Sequence, residues 1–486
     1  MILSRCLLAT ALVTALAVPA GALQAPAQAA GAGSANLRHV AQLQYAQATG
    51  SNITNGGTDV EFATIAGRSY ALAGSYKNGL QIVDITDPEA ADIVGVYDCV
   101  IQQGDVQVFS RDTTDDLGNT VTKTYVGYTH DSGYTAGKSS TCYEEATALG
   151  FKPKTEHYGT FIVDVSDPIA PRTVSWAPFS KGSHNHTIDP SGRYIYNSNS
   201  DLITSTAPKI EITDITDLSS PKPLAGLTLQ WIPTGLGSES HDITFSADGR
   251  RAYTAALSHT AILDTTNPAA PRIISTIVDP AINVHHQADP VTLTDRTTGL
   301  TKTFLVIEDE FAGASGTAQC PNGGVHVWDV TDETKPVKVG FWNITDAGPT
   351  TNNSTSKQGR CTAHVFDLHE KEGIMTISYY NGGVRVVDIS GLIGVALGTA
   401  GVGMKELAWY RFPEGESWSA KTPQIEADGS FYLYSNDQAR GLDVFHYTRS
   451  AAPSTNPGVW LSAAQAAVQL PRASGDRQLP FCLLRR

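Results

Sequence analysis

Histidine recurs near the start of a short alternating segment in four successive parts of the chain. The stretches SHNHTI, SHDITF, NVHHQAD and CTAHVFD supply His184, His186, His241, His285, His286 and His364. Imidazole is a favoured ligand of zinc, copper, iron and nickel, and zinc needs three or four such ligands at about 2.0 to 2.1 Å. The pattern predicts that these residues are candidate ligands of one transition metal ion, namely zinc, copper or iron.

Carboxylates follow in the segment FLVIEDEF, which places Glu308, Asp309 and Glu310 at the end of a predicted strand. We expect this strand end to emerge on the same face as the histidines. There a carboxylate can bind the metal, accept a hydrogen bond from a ring N–H, or act as a general base. Glu308 and Glu310 are therefore the candidate catalytic residues.

Two other interpretations of the histidines stay open. A repeated histidine can hold a neighbouring turn in place, and an imidazole can also serve a metal-free reaction. Doublets such as His184 with His186 and His285 with His286 favour a metal site, and so does the absence of histidine from three of seven equivalent positions. The sequence does not decide whether His285 or His286 is the equivalent of His241.

The remaining histidines are weaker candidates. His130 and His157 flank a long insertion and could fold over the same region. The others fall on predicted outer strands or turns, where solvated or structural roles are expected: His39, His259, His326, His369 and His446.

One motif recurs along the chain and indicates which elements position these side chains. Its copies are GLQIVDITDP, GTFIVDVSDP, KIEITDITDL, TAILDTTNP, GGVHVWDVTD, GGVRVVDIS and a weaker RGLDVFHY. Strand-like alternation occurs twice before a copy and once after it, so each unit holds four antiparallel strands. Repetition of such units predicts an all-β fold, a β-propeller of seven four-stranded blades over residues 31–450. Six blades is the alternative, if residues 418–447 pack elsewhere.

The shared acidic position of the motif is expected to build turns rather than to perform chemistry. An Asp or Asn side chain can accept a hydrogen bond from the backbone two residues further on. The N-terminal segment LRHVAQLQY resembles a fourth strand. We predict that it completes the last blade and so closes the ring, which leaves no free sheet edge between the first and last blades.

The copies GLQIVDITDP and GTFIVDVSDP resemble the LVIVD repeat of exported bacterial and archaeal proteins. The resemblance covers roughly residues 37 to 447. It implies a β-propeller and no single activity.

The first 30 residues are typical of an export signal, with Arg5, a long apolar run and small residues at Ala27 and Ala29. We expect the mature chain to be secreted or on the cell surface, with no membrane span. The chain carries 34 Lys plus Arg against 48 Asp plus Glu, a formal charge of -14. Because phosphate binding needs clustered cations, nucleic acid is excluded as an expected partner. Residues 451–486 are predicted to be a disordered tail.

Four cysteines of the predicted mature propeller test this topology. The predicted loops place Cys99 near Cys142 and Cys320 near Cys361, on the face where the first strands begin. Disulfides between these pairs would fasten the long insertions beside the histidines. Other pairings and a cysteine-based metal site are the alternatives.

Two functions are compatible with the sequence. The first is an extracellular binding or scaffold module that presents its loop-rich, histidine-bearing face to a protein, a glycan or a small molecule. The alternative is an extracellular metal-dependent enzyme, hydrolytic or oxidative, with an ion at the channel mouth. No GxSxG, P-loop, GxGxxG or HExxH motif supports a common hydrolase, nucleotide or zinc-protease site.

Overall fold

The computed structural model describes residues 30–115, 117–131, 140–156, 158–233, 236–310, 323–346, 361–449 and 454–470. These residues form seven antiparallel sheets of four or five strands. Each sheet corresponds to one blade of a β-propeller, as the sequence predicts, and the blade count is seven rather than six. The predicted export signal lies outside the described residues, apart from Ala30, and stays a prediction.

The first four blades follow one another in chain order. Blade 1 comprises Gly57–Ile65, Arg68–Ser75, Leu80–Asp84 and Asp92–Tyr97. Blade 2 comprises Gln103–Thr114, Thr120–His130, Gly159–Asp164 and Arg172–Pro178. Blade 3 comprises Asn185–Ile188, Tyr194–Ser198, Lys209–Asp214, Lys222–Pro223 and Leu227–Thr228. Blade 4 comprises Asp242–Phe245, Arg251–Ala255, Thr260–Asp264 and Arg272–Ile277.

The last three blades recruit strands from the two ends of the chain. Blade 5 comprises His285–Thr294, Thr301–Asp309, Gly324–Asp329, Val337–Asn343 and Val459–Ser462. Blade 6 comprises His364–His369, Ile374–Ser378, Val384–Asp388, Lys405–Arg411 and Ala32–Gly33. Blade 7 comprises Ser417–Lys421, Phe431–Asp437, Gly441–Tyr447 and Leu37–Leu43.

The first strand of every blade contacts the first strand of the next, and the seventh contacts the first. These innermost strands therefore line a central channel. Apolar side chains fill the spaces between neighbouring blades: Phe304 of blade 5 packs in one cluster with Met375 of blade 6, and Val83 of blade 1 packs with Tyr434 of blade 7. Burial on both faces explains why the middle strands read as nearly continuous runs of Val, Ile and Leu.

The closing strand is the predicted one. Leu37–Leu43 pairs antiparallel with Gly441–Tyr447, with Leu37 opposite Tyr447. Because this pairing joins the start of the chain to its last blade, the ring is held together by backbone hydrogen bonds rather than by contacts between side chains alone.

The repeated aspartates build turns, as expected for the six strong copies. Their carboxylates accept the backbone N–H two residues ahead, which defines an Asx turn after the third strand. The residues are Asp84, Asp164, Asp214, Asp264, Asp329 and Asp388. In the seventh copy, Asp443 instead accepts hydrogen bonds from Arg440.

The prediction of a disordered tail from residue 451 is wrong for residues 459–469, which form a strand and a helix. Val459–Ser462 pairs with Val337–Asn343 as a fifth strand of blade 5, and the helix Ala463–Gln469 follows. The outer strand of blade 5 would otherwise expose an unpaired edge, and the segment VWLS covers that edge. Its surroundings, rich in Pro, Ala and Ser, obscure this short strand in the sequence. Residues 471–486 lie outside the described part of the chain.

The predicted Cys99–Cys142 disulfide is present and ties the helix Thr141–Ala148 to the start of blade 2. Cys361 is also disulfide-bonded, while its predicted partner Cys320 lies outside the described residues. Short helices at Pro88–Ala90, Pro153–Glu156 and Gly391–Ala396 complete the described elements. Within the described residues, no helix is both long and apolar enough to cross a bilayer.

Candidate metal centre

Four imidazoles from four successive blades form one contiguous row inside the protein. Ring centroids lie 4.4 Å apart for His184 and His241, 4.0 Å for His241 and His286, and 4.6 Å for His286 and His364. All four residues are 3 % exposed or less. The structure therefore places this cluster, which we call the imidazole cluster, inside the channel rather than on an open rim.

Local backbone geometry brings the four side chains to one level. His184 and His241 each precede a first strand by one residue, and their N–H groups donate to Ser198 and Ala255 of the adjoining second strand. In blades 5 and 6 the ladder is irregular instead, between His285 and Gln287 and between His364 and Phe366. Such irregularities change the direction of side chains near functional sites. In blade 5 it is His286, and not His285, whose ring joins the row.

The Nδ1 atom of each imidazole in the cluster faces an oxygen atom. Those of His241 and His364 lie 3.1 Å and 2.5 Å from the carbonyl oxygens of His286 and Trp418. A carbonyl oxygen only accepts hydrogen bonds, so Nδ1 carries the proton in these two rings. The remaining partners are carboxylates: His184 Nδ1 lies 3.3 Å from Asp131 Oδ2, and His286 Nδ1 lies 2.6 Å from Glu308 Oε2.

The two carbonyl partners make Nε2 the lone-pair nitrogen of His241 and His364. In metal sites, a ligating histidine almost always donates its other ring N–H to a carboxylate or carbonyl, which fixes the tautomer and the ring orientation. His241 and His364 show that arrangement, and the Nδ1 atoms of His184 and His286 lie beside carboxyl oxygens.

Burial favours the neutral form of two of the four imidazoles. It lowers the pKa of His286 well below its usual value, with smaller contributions from His241 and His364. Burial also lowers the pKa of His364 to about 3. Neutral imidazole is the form that binds a metal ion, so no proton needs to leave these two rings at neutral pH.

Both candidate glutamates lie at the cluster, and each has a different environment. Burial, with the charges of Glu310 and Asp309, raises the pKa of Glu308 well above its usual value. A bound cation would favour the ionised form. Glu310 Oε2 lies 3.7 Å from His286 Nε2, and its Oε1 accepts a hydrogen bond of 2.7 Å from the Tyr380 hydroxyl. Glu308 therefore orients an imidazole, whereas Glu310 faces the ring nitrogens.

The ligand atoms are close enough for one ion. His286, Glu310 and His364 offer atoms that all lie within 4.8 Å of one another, so this group could hold a metal ion. The Nε2 atoms of His184 and His241 lie 2.9 Å apart, close to the roughly 3.3 Å between two nitrogens of a tetrahedral zinc site. In the metal-free protein these two nitrogens share a hydrogen bond, which His241 Nε2 accepts because its Nδ1 carries the proton. A shared cation would take the place of that proton.

Two candidate ligands lie outside the cluster. His186 packs between blades 2 and 3, where its Nδ1 lies 2.8 Å from Asp105 Oδ2. The Nδ1 atom of His285 is 2.8 Å from the Thr260 hydroxyl of blade 4. Each doublet therefore contributes one histidine to the cluster and one to the packing between blades.

The weaker candidates also lie elsewhere in the fold. His130 Nδ1 accepts the backbone N–H of Gln102 and so supports a turn. His259 and His326 are buried rather than solvated, and burial lowers the pKa of His259 to about 4. His39 and His446 contact Asp443 and Tyr432 on outer strands of blade 7. His369 instead ends the innermost strand of blade 6, where it contacts Asp367, so its predicted outer position is wrong. His157 lies outside the described residues.

Three residues of the site carry no signal in the sequence. Asp131 follows the second strand of blade 2, Tyr380 the second strand of blade 6, and Trp418 lies in the first strand of blade 7. Trp418 acts through its backbone carbonyl, which no pattern of side chains could reveal. The packing of blade 7 against blade 6 brings this carbonyl to His364.

The cluster borders a cavity of about 340 Å³ that follows the innermost strands. His241, His286 and His364 line it where these strands begin, and Ile188 and Phe245 line it where two of them end. The volume is that of a small-molecule site. A metal ion in the cluster would therefore face a cavity within the channel.

Comparison with known proteins adds a fold-level likeness only. No family model and no curated protein matches the chain. Among solved structures, the Cps50 (Swd1) β-propeller domain of Myceliophteria thermophila is 10 % identical with a TM-score of 0.46, covering 82 % of this chain and 99 % of that one. The periplasmic gluconolactonase PpgL of Pseudomonas aeruginosa is 11 % identical with a TM-score of 0.46, covering 81 % and 99 %. A protein of unknown function from Desulfotomaculum acetoxidans is 14 % identical with a TM-score of 0.38, covering 69 % and 83 %.

Proposed function

We propose that the protein is an exported metal-dependent enzyme. In this proposal, one transition metal ion, zinc, copper or iron, is bound by the Nε2 atoms of the imidazole cluster. Its substrate is a small molecule in the adjoining cavity, and the reaction class is hydrolysis or oxidation. The observation that carries the proposal is the buried group of His286, Glu310 and His364, whose ligand atoms lie within 4.8 Å of one another.

The donor set matches these metals. Imidazole nitrogen suits zinc, copper and iron, whereas calcium and magnesium prefer oxygen ligands. An ion bound there would polarise a substrate oxygen or activate water or dioxygen. The chain's own residues have other tasks: Glu308 lies against His286 Nδ1, and Tyr380 donates a hydrogen bond that holds Glu310 beside the ring nitrogens.

Export is supported by two independent features. The N-terminal sequence is typical of a secretion signal, and disulfides such as Cys99–Cys142 persist in oxidising compartments outside the cytoplasm. Assignment to the LVIVD repeat proteins stays a prediction from the motif copies.

A binding or scaffold module is the second candidate, and the β-propeller fold is compatible with it. The disulfide that fastens Thr141–Ala148 to the start of blade 2 gives the insertion a defined position. Loops fixed on a rigid scaffold commonly form binding surfaces for a protein or a glycan. In that case the imidazole cluster would be structural and metal-free.

Elemental analysis separates the two candidates. The purified protein is stripped with a chelator, reconstituted separately with Zn²⁺, Cu²⁺ and Fe²⁺, and desalted. We expect about one ion per chain of at least one metal, and loss of that ion in His241→Ala. His186→Ala is the matched control, because it removes a buried histidine of the same blade region without touching the cluster, and it should keep the ion.

Two outcomes would contradict the proposal. A wild-type chain that retains no stoichiometric metal after reconstitution excludes a metal enzyme and leaves the binding module. Full occupancy in a folded His241→Ala variant would place the ion elsewhere.

A further inference from the structure

The channel cavity is strongly acidic for a space inside a protein. Six carboxyl groups from the innermost strands of five blades line it, against a single lysine, Lys421, among the described residues. The acidic residues are Asp59, Glu61, Asp105, Asp242, Asp289 and Asp367. Lys421 is committed to one side, where its Nζ lies 2.8 Å from Asp59 Oδ1 and 2.7 Å from Glu61 Oε1.

The exposed fraction of these carboxyl side chains decreases from one end of the channel to the other. The side chains of Asp367 and Glu61 are 34 % and 31 % exposed, whereas those of Asp59 and Asp105 are 10 % and 11 % exposed. Beyond them lie Glu308 and Glu310, which are fully buried. Carboxyl groups thus extend from a surface opening to the imidazole cluster without interruption by an unpaired cation among the described lining residues.

The exposed end of this path opens onto a second cavity. Glu61, Phe62 and Asp367 line both the channel cavity and an adjoining cavity of about 670 Å³. The second cavity is also lined by Thr64 and His369, which lie at or near the far ends of their innermost strands. The opening is therefore at the end of the channel opposite the imidazole cluster.

Polar atoms along the channel lack partners within the protein. Gln103 is 4 % exposed, and its Oε1 has no hydrogen-bond partner among the described residues. The same holds for the Nε2 atom of His364, which is 1 % exposed. Leaving such an atom buried and unpaired costs about 1 to 3 kcal/mol. Gln103 Oε1 and His364 Nε2 each carry a lone pair, and a cation in the channel could accept either as a ligand.

We propose that the central channel is the uptake route of the metal ion, through which a divalent cation passes from the opening at Asp367 to the imidazole cluster. This inference rests on the proposed function, because it requires that the cluster binds metal. A cleft lined by charge of one sign and walled by protein focuses its field and raises the rate of cation arrival by roughly 10- to 1,000-fold. The route also gives access to a cluster whose four histidines are 3 % exposed or less.

The rate of metal loading tests the route. Chelator-stripped protein is mixed with Co²⁺ in a stopped-flow instrument, and the visible absorption of imidazole-bound cobalt is followed at low ionic strength. Asp367→Asn should slow loading about fivefold, the effect of one unit charge on a divalent ion at about 8 Å in water. Asp367→Lys should slow it more than tenfold. Equilibrium affinity for Co²⁺ should change far less than the rate, because Asp367 is not a ligand.

Asp92 provides the matched control. It is an exposed aspartate on the outermost strand of blade 1, and Asp92→Asn and Asp92→Lys should both load at the wild-type rate. At about 0.5 M salt, where charges are screened within about 4 Å, the Asp367 variants should approach the wild-type rate.

The possible failures are distinct. Folded Asp367→Lys that loads at the wild-type rate at low salt overturns the uptake route while leaving the metal site intact. A wild-type protein that takes up no Co²⁺ overturns the metal function and the route with it. Circular dichroism of each variant establishes that it is folded, and the partly exposed position of Asp367 makes both substitutions compatible with the fold.

Discussion

The Nδ1 atom of His286 lies 2.6 Å from Oε2 of Glu308, and both side chains are almost completely buried. The contact joins the first strand of blade 5 to its second strand, so it is fixed by the sheet itself. It determines which nitrogen of His286 is available to a ligand and which way the ring faces.

We expect Glu308→Gln to weaken metal binding about 10- to 100-fold, since removal of such an orienting carboxylate typically has this effect. The glutamine preserves the size of the side chain, so the thermal midpoint of the metal-free protein should change little. Competition with a chromophoric chelator measures the affinity. Glu372→Gln, on the surface of blade 6, is the control that should bind as the wild type does; unchanged affinity in Glu308→Gln would assign Glu308 no role at the site.

A second prediction concerns pH. Burial raises the pKa of Asp59 to about 6 and that of Asp289 to about 6. Between about pH 4 and pH 6 the folded chain therefore holds protons that the unfolded chain has released, and stability falls as pH rises through this window. Each carboxyl contributes a slope of up to about 1.4 kcal/mol per pH unit.

Denaturant unfolding of the metal-free protein at pH 4, 5, 6 and 7 measures this slope. Asp289→Asn removes one titrating group from the channel, so its stability should depend less steeply on pH than that of the wild type. Asp92→Asn, in which an exposed carboxyl is replaced, should keep the wild-type slope. Equal slopes in all three proteins would show that Asp289 titrates normally.

The third prediction concerns the C-terminal strand of blade 5. Trp460 packs against the core cluster shared by blades 5 and 6, and its ring fills the space beside Gly340 and Gly403. Because the side chain is only partly buried, Trp460→Ala should lower the free energy of unfolding by about 2 kcal/mol.

Truncation separates this strand from the residues beyond it. A chain that ends at residue 470 should match the full chain in its thermal midpoint, whereas a chain that ends at residue 449 should melt several degrees lower. Differential scanning calorimetry distinguishes these cases. Identical midpoints for the two truncated chains would mean that Val459–Ser462 adds nothing to stability.

The sequence predicts the architecture well because the repeat encodes it locally. Every blade contains its own alternating strands, and six of the seven motif copies form an Asx turn, so seven copies of one pattern determine seven sheets without knowledge of long-range contacts. The closing role of Leu37–Leu43 follows from the same logic, since one blade lacks a fourth strand and one strand lacks a blade. The strand Val459–Ser462 has no place in the repeat, and its pairing with blade 5 was missed for that reason.

The candidate site shows where local reasoning ends. Register along the repeat brings His184, His241 and His364 to equivalent positions, and this could be predicted from spacing alone. Whether His285 or His286 joins the row depends on an irregularity in the pairing of the first two strands of blade 5. Such an irregularity moves a side chain to the opposite face of the sheet from the one that simple alternation predicts. His186 is two residues after His184, so alternation predicts the same face of the strand for both, yet the His186 side chain packs against blade 2 and Asp105.

The sequence by itself determined the blades, the order in which they follow one another, and the level at which histidine occurs in four of them. Only the tertiary structure decided which imidazoles meet, that they are buried, and that Asp131, Glu308 and the Trp418 carbonyl hold their Nδ1 atoms. The physical reason is that strand patterns arise from contacts between near neighbours in the chain. The site instead arises from the pairing of strands within a blade and the packing of successive blades, which bring together atoms of residues that are 22 to 54 positions apart.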